Sequence, residues 1–127
     1  MNDIQAIAAA ITGYFNLMYD VDDNRFREVF ADACIVHGIR DGRHNVRSAA
    51  EFRDFIRSRP SPAELKSPRD EAIISIEQTA PDLALAKVRV RAAQTGFIDH
   101  LVFHRIDGKW LITTKAFHVA QVFPAGS

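Results

Sequence analysis

Residues 97–118, FIDHLVFHRIDGKWLITTKAFH, contain two apolar runs that are separated by the dipeptide Asp107-Gly108. Asp-Gly between apolar runs is the strongest short signal for a β-hairpin, because a type I′ turn requires positive φ at both of its central residues. A two-residue loop at this dipeptide pairs Ile106 with Lys109. The stretch therefore predicts two long antiparallel strands.

The register of this hairpin decides which side chains share a face. Counted outward from a two-residue loop, Asp99 lies opposite Ala116, and Phe97 lies opposite His118. The alternation of strand side chains then places on one face Phe97, Asp99, Leu101, Phe103, Trp110, Ile112 and His118. Asp99 and His118 become diagonal neighbours, roughly 7–8 Å apart between Cα atoms. A three-residue loop with a glycine bulge shifts the count by one and places Lys115, instead of His118, on the face of Asp99.

The sequence before the hairpin predicts helices first and strands afterwards. Ile4, Ile7 and Ile11 begin an i, i+3, i+4 apolar pattern that is typical of an amphipathic helix. Ser48 and Glu51 match a capping box, which indicates where a later helix begins. In chain order, we predict helices over 3–20 and 22–31, a short strand over 34–39 with a return over 43–46, a helix from 48, and strands over 69–79 and 83–94. Helices followed by antiparallel strands are typical of the α+β class, here with one curved sheet around the first helix.

Three prolines, Pro60, Pro62 and Pro68, interrupt the chain between the third helix and the next strand. Proline lacks an amide donor and fixes φ, so this segment is expected to form a loop and not a helix or a central strand. We expect the loop to border the mouth of a pocket and to act as a lid.

The chain has 127 residues, with 16 basic and 16 acidic side chains. This length predicts one domain, over residues 1–127, that buries a sizeable core. A neutral chain has no global field that attracts nucleic acid or an anionic membrane, and no apolar run approaches the ~20 residues that span a bilayer. Cys34 is the single cysteine, which excludes an internal disulfide and favours a cytoplasmic location.

Asp99 is the strongest candidate for a catalytic group, because it is a lone carboxylate on an otherwise apolar strand face. Burial raises the pKa of a carboxyl group, and an acid tuned in this way can move a proton at a carbon next to a carbonyl. The alternative is that Asp99 pairs with Lys115, Arg91 or His118 and only fixes the strand geometry. His118 is the second catalytic candidate, as an imidazole that titrates near Asp99. Its alternative is a strand-end histidine that faces solvent or a partner subunit.

The candidates for the wall of a ligand pocket are Tyr14, Met18, Phe30, His37, Phe52 and Phe103. Tyr14 projects from the first helix and can donate a hydrogen bond to a ligand carbonyl, because a buried phenol needs a partner. His37 lies on an apolar strand close to the expected pocket. The alternative for these residues is a place in the core, with the polar groups of Tyr14 and His37 at its rim.

We expect neither a metal nor a cofactor. The histidines are scattered along the chain, and no HExxH or CxxC spacing occurs. The sequence also contains no glycine-rich phosphate loop of the kind that binds nucleotide cofactors.

The long N-terminal helix and two further segments carry a resemblance to a known superfamily. The segments are DDNRFREVFADACIVHG, residues 22–38, and DHLVFHRIDGKWLITTKAF, residues 99–117. In them the chain resembles the nuclear transport factor 2-like, SnoaL-like superfamily, and most closely its branch named putative lumazine-binding. His100 stands where an aromatic residue is more usual. The residues that match the branch are Asp99, Leu101, Asp107, Gly108, Lys109, Trp110, Lys115 and Phe117.

The resemblance implies a cone-shaped α+β half-barrel of cystatin-like topology, in which a curved, mostly antiparallel sheet wraps around a long helix and two shorter ones. It implies a deep pocket between the sheet and the helices, and a homodimer formed through the outer face of the sheet. Members of the superfamily include isomerases, cyclases, dehydratases and non-catalytic carriers, so the fold does not decide the function.

We therefore predict that the protein binds a small hydrophobic or aromatic molecule in an apolar pocket. Cofactor-independent isomerase, cyclase or dehydratase chemistry is one outcome of such binding. The alternatives are a non-catalytic carrier or sensor, and a structural dimerisation module whose cavity is filled by its own side chains. The sequence leaves the identity of the ligand, and the presence of catalysis, open.

Overall fold

Across residues 2–127, the computed structural model contains three α-helices, one 3-10 turn and one six-stranded sheet. The helices are α1 (Asp3–Asp20), α2 (Phe26–Val29) and α3 (Ala49–Arg57), and the 3-10 turn is Asp23–Arg25. The strands are β1 (Phe30–Arg40), β2 (Arg43–Ser48), β3 (Glu71–Ala80), β4 (Leu83–Ala92), β5 (Thr95–Ile106) and β6 (Lys109–Val122). Their spatial order is β2-β1-β6-β5-β4-β3, and only β1 and β6 are parallel neighbours.

The sheet is curved and not closed, and α1 packs against its concave face, which confirms the predicted α+β half-barrel. α1 begins at a capping box in which the Asn2 side chain accepts from the Gln5 amide and the Gln5 side chain accepts from the Asn2 amide. Its apolar stripe includes Ile7, Ile11 and Tyr14, which have no exposed surface. Burial of this stripe against the sheet forms the core.

The second predicted helix is shorter than the sequence indicates. Instead of spanning 22–31, it consists of the 3-10 turn and the single turn of α2. Phe30 already belongs to β1, where it pairs with Ile112 of β6. Strand pairing therefore overrides the local helical pattern, and β1 is longer than the predicted 34–39. None of the helices within residues 2–127 has the length and apolar composition that crossing a membrane requires.

Both Asp-Gly dipeptides form the expected tight turns. The φ angles are +52° and +74° at Asp41 and Gly42, and +49° and +79° at Asp107 and Gly108, as a type I′ turn requires. Ile106 pairs with Lys109, which confirms the two-residue loop of the last hairpin.

The predicted register of this hairpin is wrong by one residue beyond Phe103. Phe103 pairs with Ile112 as predicted, but Val102 pairs with Thr114. Thr113 is therefore an extra residue in β6, which makes a β-bulge. The Thr113 hydroxyl donates a hydrogen bond of 3.4 Å to the backbone oxygen of Val102 and holds the bulge in place.

The bulge changes which residues of β6 face the concave side. Asp99 lies opposite Phe117 instead of Ala116. Lys115 is 4% exposed and lies on the concave side, whereas His118 is exposed. The alternative register, which places Lys115 on the face of Asp99, is therefore correct, although a bulge within the strand produces it and not a longer loop.

Candidate functional site

A cavity of about 440 Å³ lies between the concave face of the sheet and the helices. Residues of α1, α3, β1, β2, β4, β5 and β6, and of the segments next to them, contribute to its wall. The wall consists of Met18, Val21, Arg40, Asp41, Asn45, Arg47, Phe52, Phe55, Ile56, Arg59, Pro60, Pro62, Val90, Ala92, Ala93, Thr95, Phe97, Asp99, Lys115 and Phe117. A cavity of this size, lined largely by apolar and aromatic side chains, is typical of small-molecule sites.

Asp99 is the buried acid of the cavity wall. It lies in β5 between Val88 of β4 and Phe117 of β6, and only 1% of its surface is exposed. The hydroxyl of Tyr14 donates a hydrogen bond of 2.5 Å to Asp99 Oδ2. Asp99 Oδ1 is buried and has no hydrogen-bond partner in residues 2–127. A buried polar atom without a partner is rare in folded proteins and carries a desolvation cost.

Lys115 supplies the nearest positive charge to Asp99. Its Nζ lies 4.0 Å from Asp99 Oδ2, which is within ion-pair distance but too long for a hydrogen bond. Nζ also lies 4.5 Å from the ring centre of Phe52 and 5.2 Å from that of Tyr14. The carboxylate and the two aromatic faces therefore surround the ammonium group.

Burial drives the pKa values of the two charged groups towards each other. Burial raises the pKa of Asp99 above its ordinary value of 3.8, although Lys115 and the Tyr14 hydroxyl act in the opposite direction. Burial likewise lowers the pKa of Lys115, although Asp99 opposes this. The pKa of Tyr14 is raised well above 10.0 by its burial and by Asp99, so that its hydroxyl remains a hydrogen-bond donor. A carboxyl group with a raised pKa keeps its proton to higher pH than an exposed carboxyl group does.

Cys34 lies close to this group of residues but is not a nucleophile. It has no exposed surface, and burial raises the pKa of its thiol to about 11, although Lys115 acts in the opposite direction. The thiolate is the reactive form of cysteine, so Cys34 is unreactive at neutral pH.

The structure divides the predicted pocket residues between the cavity and the core. Met18 and Phe52 line the cavity. Tyr14 is not part of the cavity wall and touches the site through Asp99. Phe30 and Phe103 are buried in the core and do not line the cavity, which corresponds to the alternative that the sequence left open for them. Phe30 instead stacks on Phe26, with ring centres 4.8 Å apart.

His118 and His37 both lie on the outer face of the sheet, away from the cavity. His118 pairs with Ile98 and not with Phe97, so its predicted position beside Asp99 is wrong. The bulge at Thr113 is the physical reason, because it reverses the alternation of β6. His37 stacks on His44, with a distance of 3.1 Å between Nδ1 and Nε2, and it does not line the cavity either.

The sequence reasoning missed the aromatic pair Phe97 and Phe117 as part of the wall. Their rings lie 5.9 Å apart, edge to face. The Phe117 ring lies directly over Gly38 of β1, where an added Cβ atom would lie 2.1 Å from the ring. Glycine is therefore required at this position for Phe117 to reach the cavity. Phe97 was predicted on the face of Asp99, but Phe117 was predicted on the opposite face because of the unrecognised bulge.

The loop between α3 and β3 borders the cavity, as expected from its prolines. Pro60 and Pro62 line the cavity. The loop is tied to α1 by hydrogen bonds of 3.0 Å from the Ala63 amide to the Tyr19 carbonyl and of 2.9 Å from the Tyr19 hydroxyl to the Ser67 carbonyl. A movement of this loop as a lid stays a prediction.

The residues described by the structure contain no group of three or more His, Cys, Asp or Glu side chains that is placed to hold a metal ion. The acidic and amine groups of the site, Asp99 and Lys115, are instead arranged as a pair. In this arrangement the Asp99 carboxyl group can accept a proton from a molecule in the cavity and return it.

Comparisons with known proteins agree with this fold. The model of the family described as putative lumazine-binding matches residues 2–118. The aldolase FrzH of a Cladobotryum species is 26% identical to the chain over 117 residues, which are 92% of this chain and 91% of that protein.

Solved structures share the fold at low sequence identity. An NTF2-like protein of unknown function from Methylobacillus flagellatus superposes with a TM-score of 0.79 at 22% identity, over 92% of this chain and 91% of that one. A ketosteroid isomerase-like protein from Erwinia carotovora atroseptica superposes with a TM-score of 0.73 at 14% identity, over 95% and 99% of the two chains. A cystatin-like fold protein from Burkholderia xenovorans has a TM-score of 0.72 at 12% identity, over 95% and 93%. The chain therefore belongs to the putative lumazine-binding family of the nuclear transport factor 2-like, SnoaL-like superfamily.

Proposed function

We propose that the protein binds a small apolar or aromatic carbonyl compound in the cavity and that Asp99 moves a proton at the carbon next to the carbonyl. The observation that carries this proposal is the buried carboxyl group with an unpartnered Oδ1 at the wall of a cavity of about 440 Å³. Cofactor-independent isomerisation, cyclisation, dehydration and aldol chemistry all begin with such a proton transfer.

The cavity wall favours a flat apolar ligand. Four phenylalanine rings contribute to the wall, from α3, β5 and β6, and these are Phe52, Phe55, Phe97 and Phe117. Aromatic rings bind other flat rings through stacking or edge-to-face contacts in addition to the area that they bury. The family description names lumazine, a flat heterocycle with carbonyl groups, which aromatic rings can stack on.

The proton transfer assigns one role to each of three residues. As a carboxylate, Asp99 takes a proton from the carbon next to the ligand carbonyl, and the electron pair of the C–H bond moves onto the carbonyl oxygen as an enolate. The Lys115 ammonium group stabilises the negative charge that develops. The Tyr14 hydroxyl holds Asp99 through Oδ2, which leaves Oδ1 for the proton. Asp99 then returns the proton to carbon, or the enolate carbon forms a bond to a second carbonyl carbon and the alkoxide that results takes the proton from Asp99.

The relative that is named an aldolase supports this reading. An aldol reaction makes or breaks a carbon–carbon bond next to a carbonyl group, and in either direction it passes through an enolate or its equivalent. A base and a charge that stabilises the enolate oxygen are what such a step requires. At 26% identity the relative supports the class of chemistry and not the substrate.

A non-catalytic carrier is the second candidate, and the burial of Asp99 favours it. Only 1% of the Asp99 surface is exposed, and Lys115 and Tyr14 already contact Oδ2. A carrier would bind its ligand tightly without turnover. A purely structural module is not favoured, because the cavity of about 440 Å³ is larger than the space of a few waters that this function would leave.

Hydrogen–deuterium exchange at an activated ketone tests the proposal. We expect the wild-type protein to accelerate exchange of the acidic C–H groups of 2-tetralone in D2O, measured by NMR. The rate should rise with pH through a midpoint above 3.8, because Asp99 must lose its proton to act and burial raises its pKa. Asp99→Asn should lower the rate by about 100-fold or more, which is the usual size of a general-base effect.

Two variants provide the controls for this experiment. Asp82→Asn removes a carboxylate from the exposed turn between β3 and β4 and should leave the rate unchanged. Tyr14→Phe removes the hydrogen bond that lowers the pKa of Asp99, so the midpoint of the pH profile should move to higher pH. Tight binding of 2-tetralone with no acceleration by the wild type would favour the carrier, and no binding at all would refute the proposal.

We also propose that the protein forms a homodimer through the outer face of its sheet. Pairing across the strands places Ile35, Ile39 and Leu85 on this face, and they are 37%, 60% and 39% exposed. Exposed aliphatic side chains on one face of a sheet suit burial against a second copy. The proposed compartment is the cytoplasm, because Cys34 is a free thiol.

A further inference from the structure

Three arginines at the cavity mouth have no carboxylate within ion-pair distance. Arg40, Arg47 and Arg59 line the cavity. Within residues 2–127, none of them forms an ion pair or donates a side-chain hydrogen bond. Other arginines of the chain do form ion pairs, and these are Arg27, Arg53, Arg57, Arg69, Arg89 and Arg105. Arginine side chains that have no carboxylate within ion-pair distance keep their N–H groups free for a ligand.

Two of these arginines converge on the same ring. The guanidinium carbon of Arg47 lies 4.0 Å from the ring centre of Phe55, and that of Arg59 lies 4.5 Å from it. Arg47 comes from β2, whereas Arg59 follows α3, so the fold brings two like charges together from separate elements. Stacking on a ring orients a planar guanidinium group and leaves the N–H groups at its edge available for hydrogen bonds.

The region next to this mouth is polar. A second, shallow depression shares Arg40, Asp41 and Asn45 with the cavity and adds Arg43. Among the described residues of the cavity wall, Asp41 is the only acidic residue apart from Asp99. The mouth thus carries more basic than acidic side chains, while the chain as a whole has a formal net charge of zero. The positive charge is a local property of the mouth.

The cavity wall therefore contains two chemically different groups of residues. One group comprises the rings of Phe52, Phe97 and Phe117 with the pair of Asp99 and Lys115, and the other comprises the arginines, two of which lie over Phe55. We propose that the ligand carries an anionic group, a carboxylate or a phosphate, which Arg47 and Arg59 bind at the mouth with Arg40 beside them. This inference rests on the proposed function, because it assumes that the cavity holds the ligand. It narrows the substrate class to carbonyl compounds with an apolar body and an acidic group at one end.

Binding of three matched probes tests the inference. The probes are 2-acetylnaphthalene, which is neutral, 6-acetyl-2-naphthoate, which carries a carboxylate, and 6-acetyl-2-naphthyl phosphate. We expect at least one of the anionic probes to bind the wild-type protein about tenfold or more tightly than the neutral one, measured by calorimetry at low salt, because charge-assisted hydrogen bonds exceed neutral ones. The preference should weaken as salt is added. The tighter of the two anionic probes identifies the group.

The variant Arg47→Gln/Arg59→Gln should lose this preference for the anionic probe. Its affinity for the neutral probe should stay within about twofold of the wild-type affinity, which is well below the tenfold change that corresponds to 1.4 kcal/mol. Arg27→Gln makes the same type of change at a side chain that is 76% exposed and outside the cavity, and it should keep the preference. Arg59→Gln alone, in the exposed segment after α3, serves as the milder variant if the double variant unfolds.

The outcomes separate the inference from the proposed function. Equal affinity of the wild type for the neutral and anionic probes overturns the inference and leaves the proposed function intact. An anionic preference that survives in the arginine variants also overturns it, because the charge must then act elsewhere. Failure of every probe to bind refutes both.

Discussion

Burial and the neighbouring side chains shift the pKa of the Asp99 carboxyl group in opposite directions. Burial raises its pKa, while Lys115 at 4.0 Å and the Tyr14 hydroxyl at 2.5 Å lower it. Burial is the largest of these effects, so the pKa remains above its ordinary value. The removal of either neighbour should therefore leave a carboxyl group that ionises only at higher pH.

Lys115→Met should destabilise the protein in a manner that depends on pH. Removing one partner of a buried ion pair leaves an uncompensated charge, which costs about 3–5 kcal/mol when the remaining group is ionised. A carboxyl group with a raised pKa stabilises the folded state below its unfolded-state pKa, and this contribution is lost as the pH rises through the folded-state value. Lys115→Met should therefore lower the free energy of unfolding only slightly at pH 4 and by about 3 kcal/mol at pH 8, as measured by urea denaturation.

The double variant Asp99→Asn/Lys115→Met provides the control for this prediction. It removes both charges, so it should unfold with a free energy that varies less with pH and exceeds that of Lys115→Met at pH 8. An equal loss of stability by Lys115→Met at pH 4 and pH 8 would contradict the proposed burial cost at Asp99.

The sequence identified Asp99 because a lone carboxylate on an apolar strand is a local pattern. It did not assign Lys115 as the partner of Asp99, because that assignment depends on Thr113, an extra residue in β6. The Asp107-Gly108 turn was predictable from its dipeptide, whereas the bulge depends on a side-chain hydrogen bond to Val102 across the hairpin. The predicted register was therefore correct at the turn and wrong in the part of the hairpin beyond the bulge.

At the level of elements, the packing of β1 against β6 controls the shape of the cavity. A Cβ atom at Gly38 would lie 2.1 Å from the Phe117 ring, so the ring must move if Gly38 becomes alanine. Gly38→Ala should lower the free energy of unfolding by about 1–3 kcal/mol, the usual cost of overpacking. It should also weaken ligand binding, because Phe117 lines the cavity. Thermal denaturation and the binding of 2-tetralone measure the two effects.

Gly13→Ala provides the matched control on α1. An added Cβ atom there meets only Val29 Cγ2 at 3.9 Å, which is an ordinary contact. Alanine in a helix interior is more stable than glycine by about 0.5–1 kcal/mol, so this variant should be stabilised and should bind ligand normally. Stabilisation by Gly38→Ala, or unchanged binding, would show that Phe117 does not depend on Gly38.

At the level of the whole molecule, the two faces of the sheet have different roles. The concave face holds the core and the cavity, and the outer face exposes Ile35, Ile39 and Leu85. Ile39→Glu should shift the protein from dimer towards monomer in sedimentation equilibrium, because it places a charge in the proposed interface. Leu65→Glu changes a side chain of similar exposure, 53% against 60%, in the loop after α3 and should leave the dimer intact. A wild-type protein that is monomeric would refute the proposed interface.

The fold could be predicted from the sequence to a greater extent than the site. Hydrophobic periodicity and the Asp-Gly turns specified most of the helices and strands. The arginine mouth was not predicted, because Arg40, Arg47 and Arg59 come from β1, β2 and the segment after α3, and only the folded chain brings them together.

A ¹³C NMR titration of the Asp99 side chain tests the central claim most directly. The Asp99 carboxyl resonance can be assigned as the signal that is absent from Asp99→Asn. We predict that it titrates with a pKa above 3.8 and that its chemical shift changes when 2-tetralone is added, because the carboxyl group is buried beside the ligand cavity. A pKa at or below 3.8, together with a chemical shift that does not respond to any of the ketones, would contradict the account.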